Sequence, residues 1–279
     1  MLNSRLERVI AALRARQMAG LALMPDANLT YLTGLTFHHG KRLTVALFPA
    51  DGSQPCFIIP ALEQSRVEDS SSIPMCYFAW ADAEGAAQAA RRAMQAAFGE
   101  TAPDLPLGIE YTALRVMELR GLEAAMPGLQ VADATDLLAE LRMAKDAEEL
   151  AIMQRAAQIV EVGLSRAIAQ IRVGMSERQL SKIVSEEIVA AGADGESFEN
   201  IIASGPNGAN PHHSNGQRVF APGDLIIIDC GARYGGYISD TTRTVALGEP
   251  DAEAPSEKVF VLATSTFAQV WLPSGLYFM

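Results

Sequence analysis

Leu6, Val9, Ile10 and Leu13 recur at helical spacing near the start of the chain, behind Ser4 and Glu7 in capping-box spacing. They predict a helix from about Arg5 to Gln17. GLALMPD then reads as a strand, followed by NLTYLTGL, and LTVALFPADG and QPCFIIP read as strands on either side of a turn at Asp51-Gly52. Ala83 to Phe98 is an Ala-rich helix, LPLGIEY a strand, Leu114 to Ala125 a helix and LQVADAT a strand. This alternation predicts an α/β domain ending near Ala139. A different pattern follows. Asp146 and Glu149 form a capping box ahead of a helix to about Ile171, and Ser176 with Gln179 opens another that runs to Ala191. FENIIAS, DLIIIDCGA and GYISDTTRTVAL then read as consecutive strands, which predicts an α+β domain with an antiparallel sheet. The change of pattern sets the boundary near Leu141 to Lys145.

Composition narrows the class. Hydrophobic residues make up 49% and charged residues 20% of the 279, which is globular and supplies a core. A formal net charge of −11 argues against a nucleic-acid partner, which would require a basic face. Cys56, Cys76 and Cys230 are scattered and form no disulfide framework or CxxC pair. MLNSRLERV has no apolar signal core, so a reducing, cytoplasmic setting is expected.

The candidate chemistry lies in IIIDCGARYGGYISDTTRT, residues 226–244. A two-residue loop at Tyr234-Gly235 would set Asp229 directly opposite Asp240 on one face of a hairpin. Two facing carboxylates repel unless a cation lies between them or one keeps its proton. Otherwise Asp229 merely ends a strand, and Asp240 pairs with Arg243 or Arg233. The LIII run before Asp229 reads as buried, and a buried carboxylate needs a strong partner, which favours a divalent metal. Carboxylate and imidazole donors suit Mn²⁺, Co²⁺ or Zn²⁺. The four histidines are His38, His39, His212 and His213. The first pair reads as solvated or packed. The second follows the turn-rich SGPNGANP, where one imidazole can meet substrate and move a proton. Cys230, next to Asp229, should face the core by strand alternation.

FENIIASGPNGANPHH followed by GDLIIIDCGARYGGYISDTTRT resembles the pita-bread metallopeptidases, in particular the Xaa-Pro peptidase branch of prolidases and aminopeptidase P. LRMAKDAEELAIMQRAAQI resembles the opening of their catalytic domain, and NLTYLTGL their creatinase-like N-terminal domain. The resemblance implies an α/β creatinase-like domain over 1–140 and the first half of an α+β pita-bread domain over 141–262, with an atypical uncharged tail at 263–279. It implies hydrolysis of the peptide bond preceding proline, with proline-containing peptides as substrates, two divalent metal ions as cofactors and a homodimer as a common assembly. Asp229 and Asp240 match metal-ligating aspartates of that family. His212 matches the histidine that contacts substrate and helps stabilise the tetrahedral intermediate, whereas His213 matches no functional position. Thr242 matches a threonine close to the metals.

The chain also departs from that pattern. The family draws a further histidine and two glutamates from later in the domain. Here no histidine follows His213, and Glu249, Glu253 and Glu257 stand in GEPDAEAPSEK, outside the family's ligand motifs. Two aspartates alone would hold a divalent ion weakly, so the chain is expected to lack three of five ligands and to be inactive or weakly active alone. Val259 to Met279 carries no charged residue but is diluted by polar residues and proline, and reads as the product of a truncated or shifted frame rather than a membrane span. Two other readings stand beside the peptidase: a non-catalytic peptide- or protein-binding module on the same scaffold, and a creatinase-like amidinohydrolase.

Overall fold

The computed structural model describes residues 2–35 and 40–247. They form two compact units, the first ending at Ala144 and the second beginning at Lys145. His38, His39 and the expected tail lie outside the described residues.

The first unit runs α1 (Leu2–Ala15), β1 (Gly20–Leu23), α2 (Ala27–Thr33), β2 (Val45–Pro49), β3 (Cys56–Pro60), α3 (Ala61–Ser70), β4 (Cys76–Trp80), α4 (Ala87–Phe98), β5 (Leu107–Ile109), α5 (Val116–Ala125), β6 (Val131–Asp133) and α6 (Thr135–Met143). Its six strands form one sheet in the order β4-β3-β2-β1-β5-β6. β2 is antiparallel to both its neighbours and the other pairings are parallel. Helices cover both faces. Leu21, Leu23 and Phe48 pack with α1, α2 and α6 on one side. Ala22, Val45 and Leu47 pack with α4 and α5 on the other. Every residue of β1, β2 and β3 is therefore buried, which is why these strands read as unbroken apolar runs. Because α1 already runs from Leu2, Ser4 lies inside the helix and not at its N-cap position.

The second unit runs α7 (Ala147–Ile168), α8 (Glu177–Ala190), β7 (Gly195–Glu196), β8 (Ile201–Ser204), a 3₁₀ turn at Gly205–Ala209, β9 (Leu225–Cys230), β10 (Ala232–Tyr234), β11 (Tyr237–Ile238) and β12 (Thr241–Ala246). Both predicted capping boxes are present. Asp146 accepts from the amides of Glu148 and Glu149, Ser176 accepts from Gln179, and each partner side chain reaches back. β8, β9 and β12 form one antiparallel sheet, and β7, β10 and β11 a second. Ile159 and Leu164 of α7 and Leu180 and Val184 of α8 pack onto Ile226, Ile228 and Cys230. At about 1.5–3 kcal/mol for each fully buried aliphatic side chain, this contact fixes which face of β9 turns inward. None of the described helices is long and apolar enough to cross a membrane.

Candidate metal and peptide site

β9 alternates. Ile226, Ile228 and Cys230 are fully buried against the helices, while Leu225, Ile227 and Asp229 are only partly buried on the other face. The LIII run is thus buried on one side, not throughout. Cys230 takes the core side, and burial, followed by the charges of Asp229 and Asp240, pushes its thiol up to about 12. Such a thiol is no nucleophile at neutral pH.

The hairpin register differs from the expected one. Tyr234 pairs with Tyr237 and Arg233 with Ile238, so the two-residue loop is Gly235-Gly236. Both glycines have positive φ, +57° and +82°. A tight primed turn requires that at both central positions, and a Tyr-Gly loop would force a tyrosine into it. The same register continues into β9 and β12, where Thr242, not Asp240, stands opposite Asp229. Asp240 precedes Thr242 by two residues, which returns it to the face of Asp229 as a diagonal neighbour. Like charges are thus offset by one step instead of being directly opposed.

The electrostatics follow from that placement. Burial, then the charge of Asp229, lifts Asp240 to about 6. Burial also raises Asp229, while a hydrogen bond from Thr242 Oγ1 to its Oδ1, at 2.6 Å, acts in the opposite direction. Arg243 does not neutralise the pair: its guanidinium lies 3.9 Å from Glu161 of α7. Among the described residues no group of three or more His, Cys, Asp or Glu side chains is placed so that it could hold a metal ion. Asp229 and Asp240 stand there as a pair of partly buried carboxylates on one face.

A loop lies over the same face. Gly208, in the 3₁₀ turn, packs against Ile227, the residue two before Asp229. Beyond it, His212 is exposed, and its amide donates to Asn210 Oδ1 at 3.0 Å. His213 turns inward, with Nε2 2.8 Å from Oε2 of the fully buried Glu177. Two residues that hold this loop escaped the sequence reading. Glu177 opens α8, and Asn215 accepts from Ile202 N at 2.7 Å and donates to Asn200 O at 2.7 Å along the outer edge of β8. A glutamate in a first helical turn looks like a surface residue favoured by the helix dipole. Its burial depends on partners 27 to 39 residues away in sequence. The one local hint for Asn215 is its position among turn formers.

The family model for the creatinase/prolidase N-terminal domain matches residues 5–144, and that for metallopeptidase family M24 matches residues 151–265. A probable dipeptidase PepE of Mycobacterium tuberculosis is 31% identical over 252 residues, covering 89% of this chain and 64% of that protein. An Xaa-Pro dipeptidase of Pyrococcus furiosus is 26% identical over 250 residues, covering 90% of this chain and 66% of its own length. Among solved structures, a dipeptidase of Pyrococcus horikoshii superposes with a TM-score of 0.78 at 35% identity, covering 88% of this chain and 66% of that one. A prolidase of Thermococcus sibiricus does so with a TM-score of 0.81 at 32% identity, covering 90% and 66%. The chain thus spans about two thirds of the length of the proteins it matches. With one family model on each unit and prolidase structures sharing the fold of both, the chain belongs to the prolidase-like branch of the M24 metallopeptidases, a creatinase-like N-terminal domain followed by a pita-bread domain.

Proposed function

We propose that the chain serves metal-dependent hydrolysis of the peptide bond preceding proline, with Asp229 and Asp240 as its metal-binding carboxylates and His212 as its substrate-facing histidine. The observation that carries this reading is the Asp pair: two partly buried carboxylates on one face, the second lifted to about 6 by burial and by the first. The repulsion and desolvation that raise Asp240 are relieved by a bound divalent cation, so the donor set fits a hard or borderline metal such as Mn²⁺, Co²⁺ or Zn²⁺. Such an ion, when bound, supplies a water that ionises near neutral pH and a positive charge for the carbonyl oxygen under attack.

The chain's own residues set the conditions. Asp240 gives up its proton as a cation binds, so affinity rises with pH through about 6. The Thr242 hydroxyl holds one oxygen of Asp229 and fixes the direction of its carboxylate. Exposed on the loop over this face, His212 has an imidazole able to donate a proton to the developing charge on a substrate carbonyl. The names of the Xaa-Pro dipeptidase and prolidase relatives support the choice of a bond preceding proline.

Two carboxylates hold a divalent ion weakly, so turnover by these residues is expected to be slow and to require excess metal. The test is release of proline from Ala-Pro with added Mn²⁺, with Ala-Ala and creatine as comparison substrates. The expected result is proline release from Ala-Pro alone, lost in Asp229→Asn and Asp240→Asn. Turnover of creatine, or Ala-Pro hydrolysis indifferent to both substitutions, would overturn the reading.

A further inference from the structure

The loop that carries His212 is held from below by a single carboxylate. Oε1 of Glu177 accepts from Ser204 N at 3.0 Å, Ser204 Oγ at 2.8 Å and Asn207 Nδ2 at 2.9 Å. Oε2 accepts from Gly216 N at 3.2 Å and lies 2.8 Å from His213 Nε2. The five contacts come from the start of the loop, its 3₁₀ turn, the residue beside His212 and the loop's exit. The Glu177 side chain is fully buried. Burial alone would raise its pKa; donation from Asn207, His213 and Ser204 overcomes that and brings it down to about 2. The carboxylate is thus ionised at any working pH, and the loop wraps a permanent buried charge.

The backbone holds Glu177 in place in turn. Its amide donates to Arg218 O at 3.1 Å, and Arg178 N donates to Gly216 O at 3.1 Å, so the loop's exit runs beside the first turn of α8. The Arg218 guanidinium joins Ser204 Oγ at 2.7 Å to Asp224 at 2.7 and 2.8 Å, locking the two ends of the 204–224 segment to each other. His212 and His213 are adjacent. Fixing the ring of His213 inward therefore fixes the backbone from which His212 departs. A structural ion pair would need only one or two partners. Here one carboxylate collects donors from the whole length of a loop whose 3₁₀ turn lies against Ile227, on the Asp229 face of β9.

We propose that Glu177 is a positioning residue for catalysis: acting through His213 and Asn207, it sets the loop so that His212 is presented to a peptide held at Asp229 and Asp240. This rests on the Xaa-Pro reading for what His212 does, but not for how the loop is held. Glu177 touches neither substrate nor metal. His213, which the family pattern leaves without a role, becomes the link between the buried charge and the working imidazole.

Two substitutions test it in the full chain. Glu177→Gln keeps the shape and one acceptor but turns an NH₂ group toward His213 and Gly216. His213→Asn removes the link and leaves Glu177 its other donors. Amide hydrogen exchange is read over residues 205–217 and, as the internal control, over Leu180 to Ile188 of α8. The expected result is at least tenfold faster exchange in the loop with the α8 core unchanged. With Ala-Pro and Mn²⁺, kcat is expected to fall about tenfold while KM and Mn²⁺ affinity stay within about twofold, the pattern of lost positioning without lost binding. The double variant should be no worse than the poorer single one, because both break one connection. Equal acceleration of exchange in the loop and in α8, or additive losses in the double variant, would reduce Glu177 to a fold-stabilising residue and overturn the proposal. Should wild type release no proline, the Xaa-Pro reading fails, and hydrogen exchange alone still decides how the loop is held.

Discussion

Replacing Asp240 by Asn should stabilise the metal-free protein at neutral pH. Ordinarily, removing a charge from a carboxylate that has a partner costs stability. Here burial and the neighbouring charge of Asp229 lift Asp240 from 3.8 to about 6. The folded state therefore binds this proton more tightly than the unfolded chain does. Stability is full below about pH 4 and falls as pH rises through about 6, where the folded protein must accept the charge. A lift of that size corresponds to about 3 kcal/mol against the ionised form. Water reaching the partly open carboxyl screens it, and about 1–2 kcal/mol is expected. Asn is nearly isosteric and carries no charge, so Asp240→Asn recovers this amount at pH 7.5, a rise in melting temperature of about 3–6 °C. At pH 4.5 the folded Asp240 still keeps its proton while the unfolded chain has largely lost it, so only about a third of the penalty has developed and the variant should gain about a third as much. Thermal melts in EDTA at the two pH values measure the difference, and added Mn²⁺ should stabilise wild type while leaving Asp240→Asn unmoved. If Asp240→Asn melts at or below wild type in EDTA at pH 7.5, or gains as much at pH 4.5, the two carboxylates do not repel one another and the metal reading loses its physical basis.

Gly231 joins β9 to β10, and a Cβ there would sit 2.1 Å from both Ser197 Oγ and the backbone oxygen of Ser239. Gly231→Ala should cost about 3 kcal/mol or more in urea unfolding, because backbone cannot yield as a side chain can. Burial lifts Glu110 to about 7 despite the hydrogen bond from Asn28. The stability of the N-terminal unit should therefore decline as pH rises from about 4.5 through 7, and Glu110→Gln should flatten that decline in urea titrations at pH 5 and pH 8.

Features carried by short-range chemistry were legible in the sequence. Asp146 with Glu149 and Ser176 with Gln179 place two helix starts, because a cap involves residues within one turn. α3 was not legible: Val67 is its only buried residue, so it shows almost no apolar stripe. β4 is intermediate at all five positions and shows no alternation. α2 buries five of its seven residues, which erases the helical period. In the candidate site, the shared face of Asp229 and Asp240 survives the change of register because the shift is by two residues, one full strand period. The choice of Gly-Gly over Tyr-Gly turns on backbone angles that a pattern of apolar positions does not encode. Glu177 was invisible for another reason. Its meaning lies in Ser204, Asn207, His213 and Gly216, which only folding brings to it.

The outer margin of β8 would otherwise be an open row of peptide groups, able to recruit a strand from another molecule. The side-chain amide of Asn215 imitates a peptide unit there, offering an oxygen to Ile202 and a nitrogen to Asn200. Among the described residues, one side chain thus does at this edge what an added strand would do. It spares the chain a sticky border while leaving the loop above it irregular, and an irregular loop can curve where a fourth paired strand would lie flat.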